Sequence, residues 1–393
     1  MKIVRAVFIV LSITLVATIF AAAQALPVTF HQQAVLTASD GAASDFLGTA
    51  VAMSVDTLVA GAPQEGANTG KAEVFVEPPG GWTTMTQTAE LKPSDGVPGM
   101  GFGYRLAISG DTIIVNTVDG PAVYVFVKPT SGWTDMTETA QLKLPNGNLL
   151  GTVAVSGNTV IASAPSETIG SNQYQGALYV FVKPKSGWRN GLTPIARLTA
   201  SDGQPKDFLG YALTANNDTV VATATPRAAY LFLKPAGGWV TATQTDEFDA
   251  PLNSGGFGYS AAVNNKGSFV IGAPEAGFNE DYYGAAFIYA SPGGEIMASN
   301  PSYYNFFGAS VAISGNLIVI GANGVDVGEN QYEGAAYVFQ GTTQIAELTP
   351  TPGIANEEMG WSVAVDGSTL AASAVYATVG SNAEQGEIYI FGP

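Results

Sequence analysis

The sequence runs to 393 residues, with 15 Lys and Arg against 32 Asp and Glu, one histidine and no cysteine. Such acidity argues against nucleic acid or an anionic membrane surface as partner, and the missing cysteine excludes disulfides, thiolate metal sites and cysteine nucleophiles. With 46% hydrophobic and only 12% charged residues, against a usual ~25% charged, strands covered on both faces are expected.

At the N-terminus, Lys2 and Arg5 precede an apolar run from about 6 to 20, followed by Ala23-Gln24-Ala25, the small-x-small pattern of a cleaved signal peptide. Residues 1–25 are therefore expected to be removed, leaving 13 basic against 32 acidic residues. No later stretch approaches membrane-spanning length. The expectation is export to the periplasm, the cell surface or the surroundings, with no membrane insertion after cleavage. Residues 26–393 are expected to form a single domain and a monomer.

His31 stands next, in a segment outside the repeats, where an exposed position near a strand start is expected. Residues 34–37, AVLT, match AELK (89–92), AQLK (140–143), ARLT (196–199) and AELT (346–349). Then comes DFLGTAVAMSVDTLVAGAP (45–63), whose pattern recurs six more times, with units starting near residues 46, 102, 149, 208, 257, 306 and 359. The anchoring glycines are Gly48, Gly103, Gly151, Gly210, Gly258, Gly308 and Gly360, spaced by 48 to 59 residues.

Each unit carries short β-type runs divided by turn residues and no sustained helical period. Four strands per period of about 50 residues predict an all-β fold, a seven-bladed β-propeller of four-stranded antiparallel blades. Side-chain size agrees. Alanine stands four residues after the anchoring glycine in five copies (Ala52, Ala107, Ala262, Ala312, Ala364), as a narrow axis requires, while the third strand carries bulky runs such as Tyr124-Val125-Phe126 and Tyr179-Val180-Phe181. The last unit ends at Pro393 after its third strand, so the N-terminal AVLT strand is predicted to close the last blade.

The paired Phe-Gly and Gly-Ala-Pro motifs, the latter complete at 61–63 and 272–274, resemble the FG-GAP repeat, known from the propeller of integrin alpha subunits and from exported microbial proteins. In integrin-like members the first-to-second-strand connection often carries an Asp-rich calcium cage. Here it reads Ser54-Val55-Asp56, Ser109-Gly110-Asp111, Ser156-Gly157-Asn158, Asn216-Asn217-Asp218, Asn264-Asn265-Lys266, Ser314-Gly315-Asn316 and Asp366-Gly367-Ser368. One carboxylate at most per turn cannot supply six to eight oxygens. No metal and no cofactor is expected, and the turns read as tight hairpins. Four of the five tryptophans follow the third strand, in VEPPGGW (76–82), VKPTSGW (127–133), VKPKSGW (182–188) and LKPAGGW (233–239). These could be sugar platforms, but Trp packed over the outer blade edge is the expectation, since units five to seven lack the motif.

With no cysteine and one peripheral histidine, triad catalysis and His-based zinc sites are excluded. Carboxylates remain, in SDGAASD (39–45), SDGQPKD (201–207) and the long second-to-third-strand loops. Those loops hold the candidate ligand residues Asn172, Tyr174, Asn279, Glu280, Asp281, Tyr282, Tyr283, Glu329, Asn330, Tyr332 and Glu333, because Tyr with Asn is a common recognition composition. Their repeated Asn-Gln-Tyr frame equally suits packing of the loop. The functional expectation is an exported, non-catalytic binding or adhesion propeller taking an extracellular protein or glycan on the long-loop face. The alternatives are a carbohydrate-active hydrolase or lyase using loop carboxylates, and a scaffold in a surface assembly.

Overall fold

A computed structural model describes residues 29–393 apart from 119, 121, 146–150, 278–281 and 292. The targeting segment expected at residues 1–25 lies outside the described residues. The strands form seven sheets arranged as a β-propeller. Blade one runs outward from the axis as Val51–Ser54, Thr57–Ala62, Lys71–Val76 and Ala89–Lys92, each pair antiparallel. Blades two to six repeat that order. Blade seven supplies Val363–Asp366, Thr369–Ala374 and Glu387–Gly392, and its outer place is filled by His31–Thr37, which pairs Val35 with Tyr389 and Leu36 with Ile388. The N-terminal strand thus closes the ring, and His31 is exposed at its start. Closure covers the edge that the third strand of blade seven would otherwise expose.

The core lies between blades rather than within one. Seven buried clusters each join two neighbouring blades; between blades one and two, Val59, Val74 and Leu91 pack on Phe102, Ile113 and Phe126. Among the described residues, the one before the anchoring glycine (Leu47, Phe102, Leu209, Phe257, Phe307, Met359) has no exposed surface and fills such a cluster. Trp82, Trp133, Trp188 and Trp239 are buried there too, so they lie between blades and not over an outer edge. Their turns swing the chain against the preceding blade, where Met85–Thr86, Met136–Thr137 and Ala242–Thr243 add short parallel strands outside the four expected.

The repeat motif itself is an inter-blade latch. A Cβ on Gly61 would stand 1.9 Å from the Gly103 carbonyl oxygen, on Gly272 2.1 Å from that of Gly308, and on Gly321 2.0 Å from that of Gly360. Glycine is required because one backbone touches the next. In blades two, three and four another residue stands there and hydrogen-bonds the equivalent carbonyl instead. Ser163 Oγ donates to Gly210 O at 2.8 Å, Thr223 Oγ1 to Gly258 O at 2.7 Å and Asn116 Nδ2 to Gly151 O at 2.8 Å.

On the opposite face, the short turns hold one another. The Ser54 hydroxyl accepts from the Gly110 amide (3.1 Å), Ser109 from Gly157 (3.0 Å), Ser156 from Asn217 (2.7 Å) and Ser314 from Gly367 (3.1 Å). Asn264 Nδ2 donates to Gly315 O, and the Asp366 carboxylate accepts from Val55 N at 2.6 Å, carrying the chain of bonds across the junction of blades seven and one. Inside this rim, the alanines expected at the axis line a channel of about 460 Å³.

Gly321→Ala is expected to cost more than ~3 kcal/mol in urea denaturation, because its methyl meets backbone that cannot yield. Gly315→Ala, with φ +59° but open space around it, is expected to cost only about 1 kcal/mol; equal costs would refute the latch. Deleting residues 31 to 38 is expected to lower the melting temperature and cause aggregation through the unpaired third strand of blade seven, and an unchanged melt would refute closure by that strand.

Candidate functional site

The second-to-third-strand loops and the loops entering each inner strand share the face opposite the short turns. In blades three, six and seven, the first kind folds back on itself through paired backbone bonds, Ile169 with Asn172, Val327 with Asn330 and Val379 with Asn382. Each asparagine then reaches the next blade. Asn172 Nδ2 donates to Gly203 O (2.7 Å), Asn330 to Gly353 O (3.1 Å) and Asn382 to Gly41 O (2.8 Å). The backbone continues the stitch, with Lys206 N bonded to Gln173 O, Phe208 N to Tyr174 O and Leu209 N to Gln175 O, and the same set in the other two copies.

This stitch sorts the sequence candidates. Asn172 and Asn330 are engaged between blades, and Glu333 is buried, its carboxylate accepting from Asn330 at 2.6 Å. Tyr174 and Tyr332 take φ of 59° and 51°, which turns their rings outward, 44% and 45% exposed; Tyr174 rests 5.7 Å from the Phe208 ring. Glu329 is exposed. Tyr282 and Tyr283 are half-buried, against Tyr304 and Tyr303. Asn279, Glu280 and Asp281 lie outside the described residues.

Beneath the loops, acids are gathered under tyrosine hydroxyls of the third strand. Tyr124 donates to Asp95 (2.9 Å), Tyr179 to Glu167 (2.7 Å) and Tyr230 to Asp202 (3.1 Å). In blade one, Glu73 replaces the tyrosine, and the buried Lys71 ammonium lies 2.6 Å from Asp40, 2.8 Å from Glu65 and 2.7 Å from Glu73. The carboxylates of Asp40, Glu73 and Glu90 converge closely enough for a metal ion, and Lys71 fills that position. Blade four adds Arg227, paired with Asp202 and Asp207. The Asp-rich entry loops are also internally bonded: Asp45 accepts from Ala42 N and Asp207 from Gln204 N, both at 2.6 Å. Blade seven has no such cation among its described residues. Its Glu357 and Glu387 both accept from Tyr389, and one hydroxyl proton cannot serve two carboxylates. Burial first, then the charge of Glu387, pushes Glu357 up to about 7, and burial raises Glu387 as well.

Sequence reasoning missed the axial mouth. The residue after the anchoring glycine points there, and in four copies it is a large aromatic: Tyr104, Tyr211, Tyr259 and Trp361, 36% to 46% exposed. Arg105 lies over the Tyr104 ring at 4.4 Å, and Tyr211 and Tyr259 stand 5.8 Å apart. The mouth encloses about 320 Å³ and adjoins the channel. The signal was present in GFGY, FLGY, GFGY and MGW, but one residue past the glycine cannot be assigned to core or solvent without the ring.

Residues 30–75, 85–126, 294–339 and 342–391 match the FG-GAP repeat. The protein carries FG-GAP repeats. Each match begins at or just before the outer strand of one blade and ends in the third strand of the following blade, so a sequence repeat of this FG-GAP propeller joins neighbouring blades. No curated protein matches the chain.

A raised carboxyl pKa favours the protonated folded state. The stability Glu357 contributes is full below its ordinary 4.5 and declines until pH reaches about 7. The melting temperature is expected to fall by roughly a few degrees more between pH 5 and 8 in the native protein than in Glu357→Gln. Parallel profiles for the two proteins would refute the assignment.

Proposed function

We propose that this FG-GAP propeller is an exported, monomeric and non-catalytic binding module that takes an extracellular protein or glycan on its long-loop face. A binding or adhesion propeller is the general role the fold supports, and FG-GAP repeats typically belong to extracellular proteins. Among the described residues no helix is long and apolar enough to cross a membrane. The observation that carries the reading is the set of exposed aromatic side chains at one repeated position around the axial mouth, joined on the same face by Tyr174 and Tyr332. Such rings offer large contact area at low entropic cost. Several loop acids, Glu333 and Asp207 among them, are engaged in contacts beneath the surface. Glu357, with the pKa of a general acid, is 3% exposed and does not line the axial cavities.

A panel of immobilised glycans and cell-surface proteins tests this. Saturable binding without product release is expected, weakened at least ten-fold by combined Tyr104→Ala, Tyr211→Ala and Tyr259→Ala substitution. Product release would replace this reading with the hydrolase or lyase, and failure to bind any ligand would overturn it.

A further inference from the structure

Between blades seven, one and two, beside the axial mouth, lies a separate cavity of about 350 Å³, within the ~300–1,000 Å³ range of small-ligand clefts. Its aromatic wall is built from three sequence-distant segments. The Trp361 ring meets Tyr376 edge-to-face at 5.8 Å and 89°, and Tyr376 meets Phe46 at 5.5 Å and 85°. Tyr104 and Val118 stand opposite, Gln64, Asn68 and Thr49 supply neutral donors and acceptors, and Gly99 and Gly101 supply bare backbone.

Among the described residues, no charged side chain lines this cavity, in a chain with 32 acidic residues. An anionic ligand would lack a counter-charge there, and a protein cation would lack a carboxylate in the lining. What fits is a ligand with an apolar face to lie on indole and phenol rings and neutral hydroxyls to meet the amides. Pyranose rings have that chemistry, since axial C–H bonds make their faces apolar while equatorial hydroxyls project from the edge.

We propose that this cavity is a binding site for a neutral oligosaccharide, with Trp361 and Tyr376 as its stacking platforms. The proposal rests on the reading of the protein as a binding module, and it names both the site and the ligand class.

Trp361 provides its own probe. It is 37% exposed, whereas Trp82, Trp133, Trp188 and Trp239 are 5% to 7% exposed, so acrylamide quenching of the full exported chain reports on Trp361. Titration with cello-, malto-, xylo-, manno- and chitotetraose is expected to show saturable protection by at least one of them. Affinity, read by calorimetry, is expected to fall at least ten-fold in Trp361→Ala and in Tyr376→Ala and to recover in part in Trp361→Phe, with melting curves confirming that each variant is folded. Absence of protection by all five sugars overturns the proposal. So does sugar binding that survives Trp361→Ala but is lost in Tyr174→Ala or Tyr332→Ala, although that result leaves the general binding reading standing. A cell-surface protein captured with an affinity unchanged by Trp361→Ala, with no sugar bound, likewise refutes this site and spares the module; if neither sugars nor proteins bind, both readings fall.

Discussion

Successive blades touch backbone to backbone, and the rest of the structure depends on that contact. Gly61 leaves no room for a methyl against the Gly103 carbonyl, and Gly272 and Gly321 repeat the arrangement one blade further on from each. Such proximity draws the neighbouring sheets together near the axis, and in the six described copies the residue before the anchoring glycine drops wholly into the gap between blades. Three substitutions within the motif keep the contact while changing its chemistry. A hydroxyl at Ser163 or Thr223, or an amide at Asn116, turns a steric fit into a hydrogen bond to the same carbonyl. Drift in the Gly-Ala-Pro motif is therefore constrained drift.

Because a repeat begins in one blade and ends in the next, no blade can be completed by its own repeat. The mismatch passes round the ring and is resolved only where His31–Thr37 joins blade seven. The rim of short turns reinforces the same joint, since Asp366 binds Val55 across it. The turn step, Ser54-Val55-Asp56 and its counterparts, bonds blade to blade through single side chains. Three tryptophan-bearing turns add a further link by pairing their short strands with the preceding blade.

The residue just past each anchoring glycine varies more than the latch itself, although Thr152 still donates to the Gly210 carbonyl of the next blade at 2.7 Å. Thr49, Tyr104, Thr152, Tyr211, Tyr259, Ala309 and Trp361 occupy that one position with side chains of very different size. Four large aromatics at an exposed rim cost burial that the fold does not require, and Phe46 and Tyr376 add rings beside the most exposed tryptophan. The acidic groups follow the opposite rule. Among the described residues, Asp40, Asp202, Glu333 and Glu357 are drawn into contacts between or beneath the loops.

Much of the fold was legible because its information is local. The period of about 50 residues, the alanines at the axis and the spare AVLT strand determined seven blades and their closure, since strand alternation and residue size act over a few neighbouring positions. The same reading found the long-loop face and placed Tyr174 and Tyr332 on it, but could not separate them from Asn172, Asn330 and Glu333, whose partners lie in the next blade. Nor could it see that Trp82 and its counterparts are inter-blade core while Trp361 is surface, because both follow a glycine in a turn. Sequence alone determined the architecture, its chemistry-poor composition and the repeat that latches it. Only the closed ring decided which side chains are buried and which meet at the mouth, because Phe46 and Trp361, more than 300 residues apart, become neighbours through closure and not through any local pattern.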